Sequence, residues 1–266
     1  MLAALINGID VTNASQAIHI EERGLSYGDG LFETMLVQGG EVRLLDRHLS
    51  RLKLGCERLK IPCREERVRA DIAKLVRMKT PAVLKIIVTR GAGGRGYRSS
   101  GLDATHIAIL YDAPAEASSN EITVRWCQTR LARNEQLAGI KHLNRLEQVM
   151  AQNEWQDPAI AEGLMLDTEG ELVCATASNL FAVIDGVLVT PDLRYSGIHG
   201  VMRGHVIAKA KQAEIVVEER ALRPDELVRA SELFLTNAVR GIRTVVQLDE
   251  RRWRVGPITT LLLGLV

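Results

Sequence analysis

A chain of 266 residues, 46% of them hydrophobic, carries enough apolar mass for one large core or two smaller ones. A net charge of +1 and an aromatic content of 4% exclude a generally basic nucleic-acid binder and a stacking platform for single strands, and argue against an anionic membrane as partner. The cysteines Cys56, Cys63, Cys127 and Cys174 form no CxxC pair and the histidines form no HxxxH or HExxH pattern, so no metal is expected.

The opening MLAALINGIDV is apolar but short, and Asn7-Gly8 marks a hairpin turn rather than a secretory leader. The thiols therefore read as reduced and the protein as cytoplasmic. Residues 1–40 are expected to form short strands with turns at Asn7-Gly8 and Gly39-Gly40. Leu45, Leu49, Leu52, Cys56 and Leu59 recur at helical spacing and predict an amphipathic helix over Leu45–Leu59, with a second over Glu65–Met78. PAVLKIIVTRG predicts a strand running into the glycine-rich GAGGRGY, and THIAILY a returning strand. The small, polar, proline-containing DAPAEASSN is the candidate linker, giving domains 1–112 and 121–266 joined by 113–120.

Beyond the linker the spacing predicts a strand at Ile122–Trp126 and hairpins turning at Glu169-Gly170 and Asp185-Gly186. A helix over Gly200–Ala213, a strand in EIVVEER, and a short helix then strand in PDELVRASELFLTNAV follow. The tail ITTLLLGLV is too short to span a bilayer. The whole reads as an α+β chain in two domains.

Arginine dominates the basic residues; the lysines are Lys53, Lys60, Lys74, Lys79, Lys85, Lys141, Lys209 and Lys211. Lys141 lies in AGIKHLNRLEQV, just before Leu143, Leu146, Val149 and Met150 fall on one helical face. A solvated lysine at a helix start is the plain reading. Against it, a cation there opposes the helix dipole and the flanks Ile140 and Leu143 are apolar. A desolvated lysine acting as nucleophile or base is the alternative. The loop GAGGRG lacks the ending of a P-loop and the spacing of a dinucleotide fingerprint. No GxSxG elbow is present.

Five ordered segments resemble the fold-type IV pyridoxal phosphate enzymes: RGLSYGDGLFETM, LLDRHLSRL, AGIKHLNRLEQV, ASNLFAV and GIHGVMR. That family contains branched-chain and D-amino acid aminotransferases and deoxychorismate lyases, and KIIVTRGAGGRGY with GIKHLNRLEQV looks most like the lyase branch. The resemblance implies a D-amino acid aminotransferase-like fold, with a smaller N-terminal α/β sandwich and a larger, β-rich C-terminal domain carrying the lysine. It also implies pyridoxal 5'-phosphate as cofactor, a small-molecule substrate and a homodimer.

Residue by residue, the resemblance makes Lys141 the Schiff-base lysine and general base, with Thr34 a second catalytic residue typical of the lyase branch. Arg51 matches the phosphate-binding arginine; its plain reading is a surface arginine on an amphipathic helix. Val201 and Met202 would offer backbone N–H groups to the phosphate from a helix start. Thr236 and Asn237 match a further phosphate-side turn, or are a plain turn. Asn144, three residues after Lys141 and so one helical turn along, is matched to the phenolic oxygen, and Asn179 to the hairpin behind the pyridine ring. Tyr27, a candidate substrate-binding residue, lies with Glu33 and Thr34 on the strand that in this family faces the cofactor, sharing the face of Glu33 only if Gly28 and Gly30 leave that strand unbroken; Arg95 and Tyr97, in the glycine loop, fall where relatives hold substrate carboxylates. Arg95 reads equally as a solvated loop residue, and His142 as a capping or surface residue.

One position departs from the pattern. Relatives place a glutamate five residues before the asparagine of NLF, where it keeps the pyridine nitrogen protonated; here that residue is Cys174. Glu171 lies three residues earlier, on the opposite face of a regular strand. The expectation is a lyase cleaving aminodeoxychorismate to 4-aminobenzoate and pyruvate in folate biosynthesis. The alternatives are a branched-chain or D-amino acid aminotransferase, and a binding scaffold that has lost catalysis.

Overall fold

The computed structural model describes residues 1–14, 18–99, 101–115 and 119–266; positions 116–118 of the expected linker lie outside them. The chain divides into two compact units, Met1–Glu116 with Ile140–Asn144, and Ala117–Gly139 with Arg145–Val266. The segment carrying Lys141 thus packs with the first unit, not the second. The reason is backbone pairing: Phe32 N–H donates to Lys141 O (2.9 Å) and Leu143 N–H to Gly30 O (3.0 Å).

The first unit is a six-stranded antiparallel sheet in the order β2-β1-β6-β5-β3-β4. Its strands are β1 (Ala3–Ile6), β2 (Ile9–Asp10), β3 (Gly30–Gln38), β4 (Glu41–Val42), β5 (Ala82–Thr89) and β6 (Thr105–Asp112). Asn7 and Gly8 both take positive φ (49° and 83°), as a two-residue hairpin turn requires. The helix α1 (Arg23–Tyr27) is a single turn ending at left-handed Gly28. Tyr27 is therefore helical rather than on the strand of Glu33 and Thr34. Helix α2 (Leu45–Leu59) buries His48, Leu49, Leu52 and Cys56, the stripe its periodicity predicts. Helix α3 (Glu65–Leu75) stops short of Met78.

The second unit is a nine-stranded mixed sheet. Its strands are β7 (Glu121–Trp126), β8 (Ile160–Leu166), β9 (Leu172–Ala175), β10 (Asn179–Ile184), β11 (Val187–Pro191), β12 (Val217–Arg220), β13 (Ala230–Asn237), β14 (Gly241–Leu248) and β15 (Arg251–Arg252). The order is β12-β11-β10-β13-β14-β7-β8-β9, with β15 on β14. The sheet curls: β9, at one end, passes through a turn at 176–178 straight into β10, near the other, and Leu172 N–H donates to Leu222 O. Strands buried on both faces have no alternation, which is why β10 reads NLFAVI. Phe181 and Phe234 stack at 4.9 Å across β10 and β13.

Among the described residues, three α-helices, α4 (Leu146–Gln152), α5 (Val201–Gln212) and α6 (Pro257–Leu265), and a short 3₁₀ helix at Pro224–Arg229 complete the unit. The apolar face read into AGIKHLNRLEQV lies outward, with Leu146, Val149 and Met150 all more than half exposed. Among the described residues no helix is long and apolar enough to cross a membrane.

Candidate active site

Side chains alternate along β3: Leu31, Glu33, Met35 and Val37 are buried, while Phe32, Thr34 and Leu36 are half-buried on the other face. Residues 141–143 pair with the β3 edge at 30–32, and the half-buried Lys141 places Nζ 4.3 Å from the centre of the Phe32 ring. Lys85, on β5 opposite Thr34, places its Nζ 5.4 Å from the same ring. The structure therefore brings Lys141 and Thr34 to one sheet face and adds Phe32 and Lys85, which sequence reading missed. The signal was a lysine at an inside-out position of an otherwise apolar strand. Asn144 is not one helical turn beyond Lys141, because α4 begins only at Leu146; instead its Nδ2 donates to Gly28 O (3.2 Å). A Cβ on Gly28 would lie 2.5 Å from Asn144 Oδ1, so glycine is required there by both space and φ.

On the opposite face of β3, Glu33 is 1% exposed. Arg51 Nε donates to Glu33 Oε1 (2.8 Å), Arg51 Nη2 to Oε2, and His48 Nδ1 to Oε2 (2.6 Å). Arg51 is thus not a plain surface arginine: a buried carboxylate fixes the plane of its guanidinium. Burial alone would raise the Glu33 pKa. The Arg51 charge and the hydrogen bonds from His48 and Arg51 outweigh it and bring the pKa to about 2.

The glycine loop is latched rather than loose. Buried Arg23 donates from Nη1 to Gly96 O (2.8 Å) and from Nη2 to Tyr97 O (3.1 Å), and is itself held by Asp29 (3.0 Å). Its guanidinium also covers the Tyr27 ring at 4.8 Å, and Gly96 N–H donates to the Tyr27 hydroxyl. Tyr27 and Tyr97 meet edge to face at 5.6 Å, and Arg95 is exposed on the same loop.

In the second unit three turns converge. Asn179 Nδ2 donates to Ile198 O (2.9 Å), and a Cβ on Gly200, the N-cap of α5, would lie 1.9 Å from Asn179 Oδ1. Asn179 pairs in register with Thr236, whose Oγ1 donates to Gly241 O. Asn237 Nδ2 donates to Ser178 Oγ (3.0 Å), and its Oδ1 accepts from the N–H groups of Val239 and Arg240. Ser178 Oγ in turn donates to buried Glu162 (2.6 Å), which also accepts from Ala177 N–H. Burial raises the Glu162 pKa against these bonds. Asn179, Val201, Met202, Thr236 and Asn237 are thus brought together. The three side-chain amide and hydroxyl groups among them bond to protein, and the N-cap of α5 is a glycine with no side chain of its own, so what this cluster offers an anion is the dipole at the start of α5.

Residues 30–248 match the family model for class IV amino-transferases. The chain belongs to the class IV aminotransferase family. It is 30% identical to the aminodeoxychorismate lyase of Vibrio harveyi across 97% of both chains. It is 25% identical to a D-alanine aminotransferase of Bacillus licheniformis, across 93% of this chain and 89% of that protein. Among solved structures, the 4-amino-4-deoxychorismate lyase of Pseudomonas aeruginosa superposes with a TM-score of 0.94 at 41% identity, covering 98% of this chain and 97% of that one. The branched-chain amino acid aminotransferase of Escherichia coli gives 0.85 at 25% identity, covering 98% and 92%.

Against this class IV frame, Cys174 stands out. It is buried beside Met165, Cys127 and Leu131, and burial pushes its thiol up to about 12 against the opposing charge of Arg145. It is a neutral thiol at neutral pH. Glu171 does not replace it: it lies in the turn before β9, with Arg133 Nη2 3.7 Å from its carboxylate.

The Glu33 cluster sets a measurable stability term. A carboxylate whose pKa falls from 4.5 to about 2 on folding stabilises fully above 4.5, and loses that contribution as pH falls toward 2. The shift corresponds to about 3 kcal/mol. Glu33→Gln is expected to lower stability at pH 7 by about 3 kcal/mol, because a buried guanidinium loses its counter-charge, and to flatten the loss of stability between pH 4.5 and 2. Urea unfolding across that range measures both; a variant with unchanged midpoint and slope would refute the coupling.

Proposed function

We propose that this protein is an aminodeoxychorismate lyase, converting 4-amino-4-deoxychorismate to 4-aminobenzoate and pyruvate, and that it uses pyridoxal 5'-phosphate. The observation that carries the reading is Lys141, fixed on the edge of β3 beside an aromatic ring and on the face of Thr34. Each unit, taken by itself, offers groups that suit the cofactor. In the second unit, Gly200 approaches Asn179 too closely for any Cβ, and the positive end of the α5 dipole there suits a phosphate. Arg51 has its guanidinium plane set by Glu33. When bound, pyridoxal phosphate supplies an aldehyde that captures the substrate amine and a ring that accepts an electron pair.

The Lys141 amine then takes the ring proton from the amine-bearing carbon of the substrate. The ring carbon–oxygen bond breaks, the departing enolpyruvate takes a proton on its methylene carbon and becomes pyruvate, and the remaining ring becomes aromatic. Lys85 and Arg95 are the cations suited to the two substrate carboxylates, and Thr34, opposite Lys85, can hydrogen-bond a substrate oxygen. Tyr27 and Tyr97 shape the loop that carries Arg95.

The aminotransferase alternative needs an anion to hold a proton on the pyridine nitrogen. The neutral thiol of Cys174, with Arg145 as its main charged neighbour, offers none at that position. A reaction that ends in an aromatic product tolerates this better than one that must store charge on the ring. The same reading makes the protein a homodimer, consistent with the outward apolar face of α4.

Borohydride reduction followed by peptide mass spectrometry is expected to place a pyridoxyl adduct on Lys141, abolished in Lys141→Ala; an adduct on another lysine would reject the assignment. Cys174→Glu is expected to raise turnover with amino donors and leave lyase turnover unchanged, and no change in either would count against the electrostatic argument. Sedimentation velocity is expected to give a dimer, and a monomer at micromolar concentration would reject that part.

A further inference from the structure

Helix α2 places one polar side chain wholly in the core, and the proposed reaction does not use it. His48 is fully buried on a face otherwise made of Leu49, Leu52, Gly55 and Cys56. It lies three residues before Arg51, on the same side of the helix, and both reach the carboxylate of Glu33. Glu33, with its pKa brought to about 2, is ionised and only accepts, so His48 Nδ1 carries the proton of their 2.6 Å bond. The other ring nitrogen, Nε2, is buried with no hydrogen-bond partner among the described residues. A buried nitrogen in that condition is destabilising, and a leucine at position 48 would avoid it. The bond from Nδ1 to Glu33 is therefore what His48 supplies and an aliphatic side chain would not.

Glu33 alone does not fix how Arg51 meets it. A carboxylate turns readily about its last side-chain bond. A guanidinium can pair with it through its side edge, Nε with Nη2, or through its end, Nη1 with Nη2. Here the side edge is used: Nε donates to Oε1 (2.8 Å) and Nη2 to Oε2. That geometry turns Nη1 away from Glu33. His48 donates to the same Oε2 that Nη2 reaches. Three donors, from two residues about one helical turn apart, hold the carboxylate in one plane and the guanidinium with it.

We propose that His48 is a positioning residue for a phosphate monoester held by Arg51: it pins Glu33, Glu33 grips the side edge of the guanidinium, and the Nη1 end is kept for the anion. The proposal rests on the pyridoxal phosphate reading and concerns only the phosphate end of that molecule. His48 acts through Glu33 and has no part in the proton transfers at Lys141.

The test follows, by absorbance, the binding of pyridoxal 5'-phosphate and of pyridoxal, which has the aldehyde but no phosphate, to the cofactor-free full chain. His48→Leu removes the donor and is expected to weaken pyridoxal phosphate by about tenfold and pyridoxal by less than about twofold. His48→Asn returns an N–H near the place of Nδ1 and is expected to regain most of the difference. In the wild-type chain the Nδ1 proton of His48 is expected to give a downfield NMR resonance that shifts on adding pyridoxal phosphate and stays in place with pyridoxal. That measurement stands even if a variant folds poorly. Equal affinity of wild type and His48→Leu for pyridoxal phosphate, equal weakening of both ligands, or an Nδ1 resonance indifferent to the phosphate would overturn the proposal and leave the cofactor reading intact. A wild-type chain that binds no pyridoxal phosphate would overturn the cofactor reading and the proposal with it.

Discussion

Two backbone hydrogen bonds, Phe32 N–H to Lys141 O and Leu143 N–H to Gly30 O, fix where the amine of Lys141 can go. They hold residues 141–143 as an added piece of strand on the edge of β3, in the stretch that β4 leaves open. The side chain of Lys141 is then directed by the pleat of the sheet rather than by a helix start. Because β3 alternates strictly, Glu33 faces inward to hold Arg51 and His48 while Phe32 and Thr34 face the amine. A register slip of one residue would exchange these faces and separate the arginine from its carboxylate.

The second unit solves a different problem with the same economy of parts. Its converging turns at 176–179, 198–202 and 236–241 hold their shape only if their polar atoms are satisfied. The chain from Glu162 through Ser178 to Asn237, and on to the N–H groups of Val239 and Arg240, meets that need. A buried carboxylate is costly to place there. The bonds from Ser178 and Ala177 are what make it tolerable, and they tie two turns far apart in sequence into one surface.

Much of this was legible in the residues. Leu45–Leu59 is a helix because its apolar spacing and its core-facing stripe agree, and the Asn7-Gly8 and Asp185-Gly186 turns are where those dipeptides adopt positive φ most cheaply. The failures came where tertiary pairing overrode local pattern. The helical period through Leu143 and Leu146 hid the fact that 141–143 is strand-like, so Asn144 was assigned a helical neighbour it lacks. Tyr27 sat in a run of glycines whose freedom permits a single helical turn. Lys85 left one signal, a lysine in an otherwise apolar strand, whereas Arg23 and Glu162 left none because each acts through a partner distant in sequence.

The latch from Arg23 to the carbonyls of Gly96 and Tyr97 gives the glycine-rich loop a shape before any ligand arrives. Ordering a free segment would subtract roughly 1–2 kcal/mol per residue from an association that required it. A segment already held escapes most of that penalty and gives up adaptability in return. The range of molecules the loop can accept is thereby governed from beneath, by a buried arginine that need never touch them.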